Sequence, residues 1–246
     1  MARIPHPNAG PPMYTTASEV ATMDFAQSIL QIPVSNVLAW GATTKNSVGS
    51  EYIIKEEVKG KHPTEVWDDM ELEDKLSIIE DIVEMERKFL SISFSISGAI
   101  YYASDCFEGC ERAEVTSDTP MSVKEDVKNR FVIGPTVERE FWEKERSGMD
   151  INRGPWKTQE YVEAITHRGI AWITHHAKPK ATMDRWQASS GHNSPQAHID
   201  FLKQCLDVMS TIIPQDADLL SPRLWHRDID NGNLFIHQDK ISSVID

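Results

Sequence analysis

The sequence predicts an α+β fold in which a small β-rich lobe, residues 1–58, precedes a mostly helical lobe, residues 59–246. Three observations support this prediction. β-forming runs flank a polar loop near the N-terminus, apolar residues recur at helical spacing after residue 71, and two further β-forming runs close the sequence. A length of 246 residues suits one large domain or two small lobes with a substantial core.

The composition excludes several classes of protein. Hydrophobic residues make up 40% and charged residues 26%, which is typical of a globular protein and not of a disordered one. The formal net charge is −13 and no Lys/Arg-rich block occurs, so we expect no nucleic-acid binding. No apolar run approaches the roughly 20 residues of a membrane span. The three cysteines suit neither a disulfide framework nor a zinc site, because Cys106 and Cys110 lack a second Cys/His pair.

One helix and an antiparallel strand pair are predicted for the first lobe. Met1–Pro5 has the character of the end of a strand. Thr16-Ala-Ser-Glu19 matches a capping box and opens a helical periodicity, which predicts a helix over residues 17–31. Residues 34–40 and 51–58 are β-rich runs around a polar loop, as in an antiparallel pair.

The second lobe is predicted to be mostly helical. An apolar stripe indicates an amphipathic helix after residue 71. The stripe consists of Leu72, Leu76, Ile79, Ile82, Val83, Phe89 and Leu90. Residues 105–126 are acidic and lack periodicity, which predicts an exposed loop, and residues 156–176 and 195–213 are predicted as two further helices.

A terminal β-hairpin is predicted to organise the clearest candidate site. Leu234–His237 and Ile241–Ile245 are apolar, β-forming runs on either side of a polar turn. If Asp239-Lys240 is a two-residue turn, Asn233 and Asp246 face each other at the open end of the hairpin. A register slip of one residue stays open as an alternative, because the turn dipeptide is not the favoured Asn-Gly.

Three polar side chains then gather at that end, because Asp228 precedes Asn233 by a short segment that can fold back. Carboxylate and amide oxygens of this kind suit Mg²⁺, with open positions for phosphate oxygens. A carboxylate outside the metal shell can orient an attacking hydroxyl and accept its proton. The cluster of Asp228, Asn233 and Asp246 therefore predicts phosphoryl-transfer chemistry.

The same residues carry a family resemblance. His226-Arg-Asp228 with Asn233, followed by Val244-Ile-Asp246, has the spacing of the catalytic and metal-binding loops of kinases. The chain resembles the aminoglycoside phosphotransferase superfamily over essentially its whole length, and within it a fungal branch. The segments that carry the closer resemblance are Arg3-Ile-Pro5, Ala17-Ser-Glu-Val-Ala-Thr-Met23, Arg153-Gly-Pro-Trp156, Leu224-Trp-His226 and Val244-Ile-Asp246.

The resemblance implies a protein-kinase-like two-lobe fold and an ATP- and Mg²⁺-dependent transfer to a small hydroxyl-bearing acceptor. Asp228 would be the catalytic carboxylate, and Asn233 and Asp246 would hold the Mg²⁺ that bridges the ATP phosphates. A mitochondrial location is also implied by the resemblance; without it we expect a cytoplasmic protein.

The resemblance also assigns residues of the first lobe to nucleotide binding. Arg3 would neutralise phosphate, and Glu19 would pair with it. Glu56, Glu57 and Val58 would form the hinge whose backbone hydrogen-bonds adenine. Two alternatives stay open here: Glu19 can instead be the acid of a capping box, and Arg3 can be a solvated terminal charge.

The chain departs from the family pattern at both ends. We expect a fold truncated at each end, since no glycine-rich hairpin precedes Met1 and no C-terminal helices follow Asp246. An alternative function is therefore a catalytically inactive kinase-like fragment or pseudoenzyme with weak or no nucleotide binding. A third, a metal-dependent phosphohydrolase using His226 and Asp228, lacks a second His-Asp pair.

Overall fold

A computed structural model describes residues 1–6, 10–178 and 194–245. Within these residues, α-helices alternate with three small antiparallel sheets. The helices are α1 (Tyr14–Asp24), α2 (Pro63–Val66), α3 (Leu72–Ser91), α4 (Met121–Arg130), α5 (Thr158–His176), α6 (Pro195–Ile212) and α7 (Ala217–Leu220). The strands are β1 (Ala2–Arg3), β2 (Val37–Gly41), β3 (Tyr52–Lys55), β4 (Ala99–Tyr102), β5 (Glu111–Arg112), β6 (Phe131–Gly134), β7 (Leu234–His237) and β8 (Lys240–Val244).

The first sheet has the strand order β1-β3-β2, and α1 packs against it. The strand pair predicted over residues 34–40 and 51–58 is confirmed as the shorter strands β2 and β3, and Met1–Pro5 does contribute a strand, β1. The helix predicted over residues 17–31 exists but begins three residues earlier. It continues beyond α1 as a π-helical turn, Phe25–Ile29.

The predicted capping box at the start of this helix is wrong. The residue that precedes the first helical residue is Met13, so Thr16 lies inside the helix. The carboxylate of Glu51 takes the capping role from a distance: Oε1 accepts from the backbone N–H of Met13 at 2.9 Å, and Oε2 accepts from the Thr16 hydroxyl at 2.6 Å.

A second sheet, with the strand order β4-β6-β5, also packs against α1, through β4. The predicted exposed loop over residues 105–126 is wrong in part, because it contains β5, the fully buried Ala113 and the start of α4. A two-residue strand has no periodicity of its own. Its partner, β6, supplies the pairing from about twenty residues further along the chain.

The long predicted helix is confirmed as α3, but only Phe89 and the partly buried Ile82 of the predicted stripe face the core. Ile78, Met85 and Phe89 are buried and face the core. Most of the stripe stays 40% to 70% exposed. These exposed residues are Leu72, Leu76, Ile79, Val83 and Leu90. No helix among the described residues is both long and apolar enough to cross a membrane.

The main core joins distant parts of the chain. Phe25 follows α1, Phe89 ends α3, Phe131 opens β6, and Leu234 and Val244 come from the terminal hairpin; all five are buried in one cluster. The end of α1, the helix α3, the second sheet and the hairpin are therefore parts of one packed core.

Candidate active site

The terminal hairpin turns one residue earlier than the sequence predicts. Gln238 and Asp239 form its tip with φ values of 52° and 58°, and His237 pairs with Lys240. Positive φ at both central residues is what the tight hairpin turn requires. The predicted turn at Asp239-Lys240 is therefore wrong, because the tip adopts this geometry without the usual glycine.

The open end of the hairpin is shifted as well. A bulge between Phe235 and Ile236 changes the register along β7 and β8. The backbone N–H of Ile245 then donates to the carbonyl oxygen of Asn233 at 3.0 Å. Asn233 therefore lies opposite Ile245. The predicted pairing of Asn233 with Asp246 is wrong. Asp246 lies outside the described residues.

Asp228 and Asn233 do come together. The side-chain amide nitrogen of Asn233 donates to the carbonyl oxygen of Asp228 at 2.8 Å and approaches its carboxylate Oδ2 at 3.3 Å. The turn between them is shaped by Asp230, which accepts from the backbone N–H of Gly232 at 2.6 Å. Because the amide nitrogen is the donor, Oδ1 of Asn233 is the atom suited to ligate a cation.

His226 braces this loop against the hairpin. Its Nδ1 accepts from the backbone N–H of Asp228 at 3.2 Å, and its Nε2 lies 3.4 Å from the carbonyl oxygen of Ile245. A neutral imidazole with the proton on Nε2 satisfies both contacts. The histidine therefore orients the loop that carries Asp228.

The segment predicted as the hinge begins where β3 ends. The backbone N–H of Glu56 donates to the carbonyl oxygen of Asn36 at 2.9 Å, and the Asn36 amide donates to the Glu56 carboxylate at 2.7 Å. Within the described part of the chain, the backbone N–H and C=O groups of Glu57 and Val58 have no hydrogen-bond partner.

Two backbone pairings attach the hairpin beside the first sheet. Just after the hinge, Lys61 and Ile236 exchange two backbone hydrogen bonds of 3.0 and 2.8 Å. Further along, the N–H of Val244 donates to the carbonyl oxygen of Pro33 at 2.8 Å. The loop with Asp228 is thereby anchored between the hinge and the segment that follows α1.

Arg3 and Glu19 form an ion pair between β1 and α1. Their side chains are 37% and 20% exposed, so the pair sits partly enclosed at the edge of the first sheet. The pairing that the resemblance implies is therefore present, and the capping role of Glu19 is not. Binding of phosphate by Arg3 stays a prediction.

A cavity of about 260 Å³ separates α1 from the loop that precedes Asp228. Its walls are mainly apolar. Thr22, Met23 and Ala26 come from α1, Leu224 to Arg227 from the loop, and Val244 and Ile245 from the end of the hairpin.

The described residues supply few metal ligands. No group of three His, Cys, Asp or Glu side chains within them lies close enough to hold a metal. Mg²⁺ needs only one or two protein carboxylates, since waters and phosphate oxygens complete its octahedron. Asn233 Oδ1 fits that requirement in chemical type, and its predicted co-ligand Asp246 lies outside the described residues. Cys106, Cys110 and Cys205 form no disulfide with one another.

Three residues near the site were not predicted from the sequence. Asn36 holds the start of the predicted hinge and Glu51 caps α1. Both act across 20 or more residues of chain, so no local pattern identifies them. The third, Lys55, is a buried lysine directly before the hinge. Its signal is local: it occupies an inward position of an alternating strand.

The chain is similar to two groups of fungal proteins over all or nearly all of its length. The chain is 32% identical to a subtelomeric hrmA-associated cluster protein of Aspergillus fumigatus, over all of this chain and 52% of that protein. It is 28% identical to altered inheritance of mitochondria protein 9, mitochondrial, of Saccharomyces cerevisiae, over 96% of this chain and 42% of that protein. The chain thus spans about half the length of the curated relatives it matches. No family model matches the chain, and no solved structure matches it.

Proposed function

We propose that this chain is the nucleotide-binding part of an ATP- and Mg²⁺-dependent phosphotransferase that acts on a small hydroxyl-bearing acceptor. The observation that carries the proposal is the hydrogen-bonded pair of Asp228 and Asn233 beside the hairpin. Asp228 is exposed, whereas structural carboxylates at such positions are commonly tied up in caps.

Each group has a role within this proposal. The Asp228 carboxylate orients the acceptor hydroxyl and accepts its proton. Asn233, together with Asp246, would hold Mg²⁺, which neutralises charge on the transferring phosphoryl group when bound. Arg3, oriented by Glu19, offers a further positive charge to phosphate, and the free backbone groups of Glu57 and Val58 suit the edge of the nucleotide base.

The relative named as mitochondrial supports a mitochondrial location for this chain by resemblance. The alternative is a kinase-like protein that has the same site but does not catalyse phosphoryl transfer. It predicts nucleotide binding without turnover, or no binding.

Calorimetry with ATP, with and without Mg²⁺, tests the proposal. We expect Mg²⁺ to tighten binding, and Asn233→Ala to remove most of that gain, because it deletes a metal ligand. Asn231→Ala is the matched control, since Asn231 lies exposed in the same turn. Asp228→Ala should leave binding within about threefold and abolish ATP turnover, as expected of a residue that acts in the chemical step.

Two outcomes contradict the proposal. Folded protein that binds no ATP with Mg²⁺ present has no nucleotide site. Equal loss of binding in Asp228→Ala and Asn233→Ala would mean that both residues only maintain the loop.

A further inference from the structure

Lys55 is a largely buried lysine whose ammonium group has no counterion among the described residues. The residue is only 4% exposed at the end of β3. Within residues 1–6, 10–178 and 194–245, its Nζ has no hydrogen-bond or ion-pair partner. An ammonium group that ends a largely buried stem and has no acceptor from the protein is open to an acceptor supplied by a ligand.

The tip of this side chain can reach a ligand. Among the described residues, the fully enclosed side-chain N and O atoms that lack a partner are His62 Nδ1, Arg146 Nε and Trp156 Nε1. The Nζ of Lys55 is not one of them, so it keeps some accessible surface although the residue as a whole is buried.

The strand register places Lys55 on the site side of the first sheet. Arg3 lies directly opposite Ile53, so these two side chains share a face. Lys55 is two residues beyond Ile53 and therefore projects from the same face, about 7 Å closer to the hinge. Along this face Arg3 stands at the phosphate end of the proposed site, and Lys55 at the base end.

We propose that Lys55 selects a purine with an oxygen at C6, so that guanine or hypoxanthine nucleotides bind more tightly than adenine nucleotides. The inference rests on the proposed function and refines its nucleotide. An ammonium group has three donors and no acceptor. Guanine presents two acceptors, O6 and N7, whereas adenine replaces O6 by an amino donor. The backbone of the hinge offers both N–H donors and C=O acceptors, so it can form hydrogen bonds with either base.

Calorimetry with the Mg²⁺ complexes of ATP, GTP and ITP tests this inference. ITP carries O6 without the 2-amino group of guanine, and therefore isolates the contact at C6. We expect GTP and ITP to bind about tenfold tighter than ATP. Lys55→Met keeps the length and packing of the side chain but removes its donors, so all three nucleotides should bind with similar affinity. Lys59→Met, on an exposed lysine four residues on, should keep the preference.

The outcomes separate this inference from the proposed function. If ATP binds as tightly as GTP and ITP, or if Lys55→Met leaves their ratio unchanged, the inference fails alone and the nucleotide site stands. If the folded protein binds none of the three, both fail. Thermal unfolding of each variant identifies any loss of affinity that is due to misfolding.

Discussion

Arg130 joins α1 to the second sheet, and its removal should loosen that junction measurably. One guanidinium nitrogen donates to both carboxylate oxygens of Asp24, at 2.8 and 2.9 Å, and to the Ser28 hydroxyl at 3.0 Å. The other donates to Asp126 at 2.9 Å. Because Asp24 is the last residue of α1, the network holds the helix that also carries Glu19.

The expected magnitude follows from the partial burial of the pair. The side chains of Arg130 and Asp24 are 33% and 29% exposed. Hydrogen bonds to charged groups contribute roughly 1.5–3 kcal/mol, and fully exposed ion pairs about 0–1 kcal/mol. Arg130→Met keeps most of the packing on Phe131 and leaves Asp24 with the Tyr102 hydroxyl at 3.0 Å. We therefore expect a loss of about 2 kcal/mol, or roughly 4–8 °C in Tm.

Urea unfolding of the single and double variants measures this loss. In a cycle with Asp24→Asn, we expect a coupling energy of at least about 1 kcal/mol. Arg87→Met is the control, because Arg87 is 76% exposed and its ion pair spans 3.9 Å; it should change stability by less than about 0.5 kcal/mol. A loss below about 0.5 kcal/mol for Arg130→Met, or strict additivity in the cycle, would refute the reasoning.

Three further predictions concern packing, backbone conformation and ionisation. Met85→Ala should cost about 2–5 kcal/mol in urea unfolding, and Leu76→Ala less than about 1 kcal/mol, since only Met85 is buried; equal costs would mean that α3 is rotated. Gly60→Ala should lower the Tm far more than Gly109→Ala: both glycines have positive φ, but only at Gly60 would the new Cβ clash with a backbone atom, the carbonyl oxygen of Ile236. Similar Tm values for the two variants would contradict this. Burial and the neighbouring Glu138 carboxylate raise the pKa of Tyr161 to about 12. The stability due to its neutral hydroxyl is therefore present below about pH 10 and lost as pH rises through about 12, whereas Tyr161→Phe should show less of that loss in urea unfolding across this range.

Local periodicity predicted the elements that depend on local sequence. The helix α3 and the strands β2 and β3 follow from apolar spacing, and they form close to the predicted positions. The start of α1 did not follow, because its cap is the carboxylate of Glu51, 35 residues from Thr16. No pattern within residues 13–19 encodes a partner at that distance.

In the candidate site too, the features that depend on local sequence were predicted and those that depend on the hairpin register were not. Asp228 and Asn233 lie five residues apart in one turn, so their spacing alone brings them together. The position of Asn233 across the hairpin was mispredicted because the register depends on which residues accept positive φ. Gln238 does so here without any glycine at the tip.

Lys55 is a charged residue at a position where the alternation of the strand predicts an apolar one. In the strand Tyr52-Ile-Ile-Lys55, alternation places Ile53 and the lysine on one face, and both are buried. An apolar side chain at the inward position of Lys55 would satisfy the core without cost, so the lysine opposes the binary pattern that stabilises the sheet. Such conflicts concentrate at functional positions, because selection for binding can outweigh packing there. Lys55, the residue of this strand that does not suit the apolar core, therefore indicates the base end of the proposed nucleotide site.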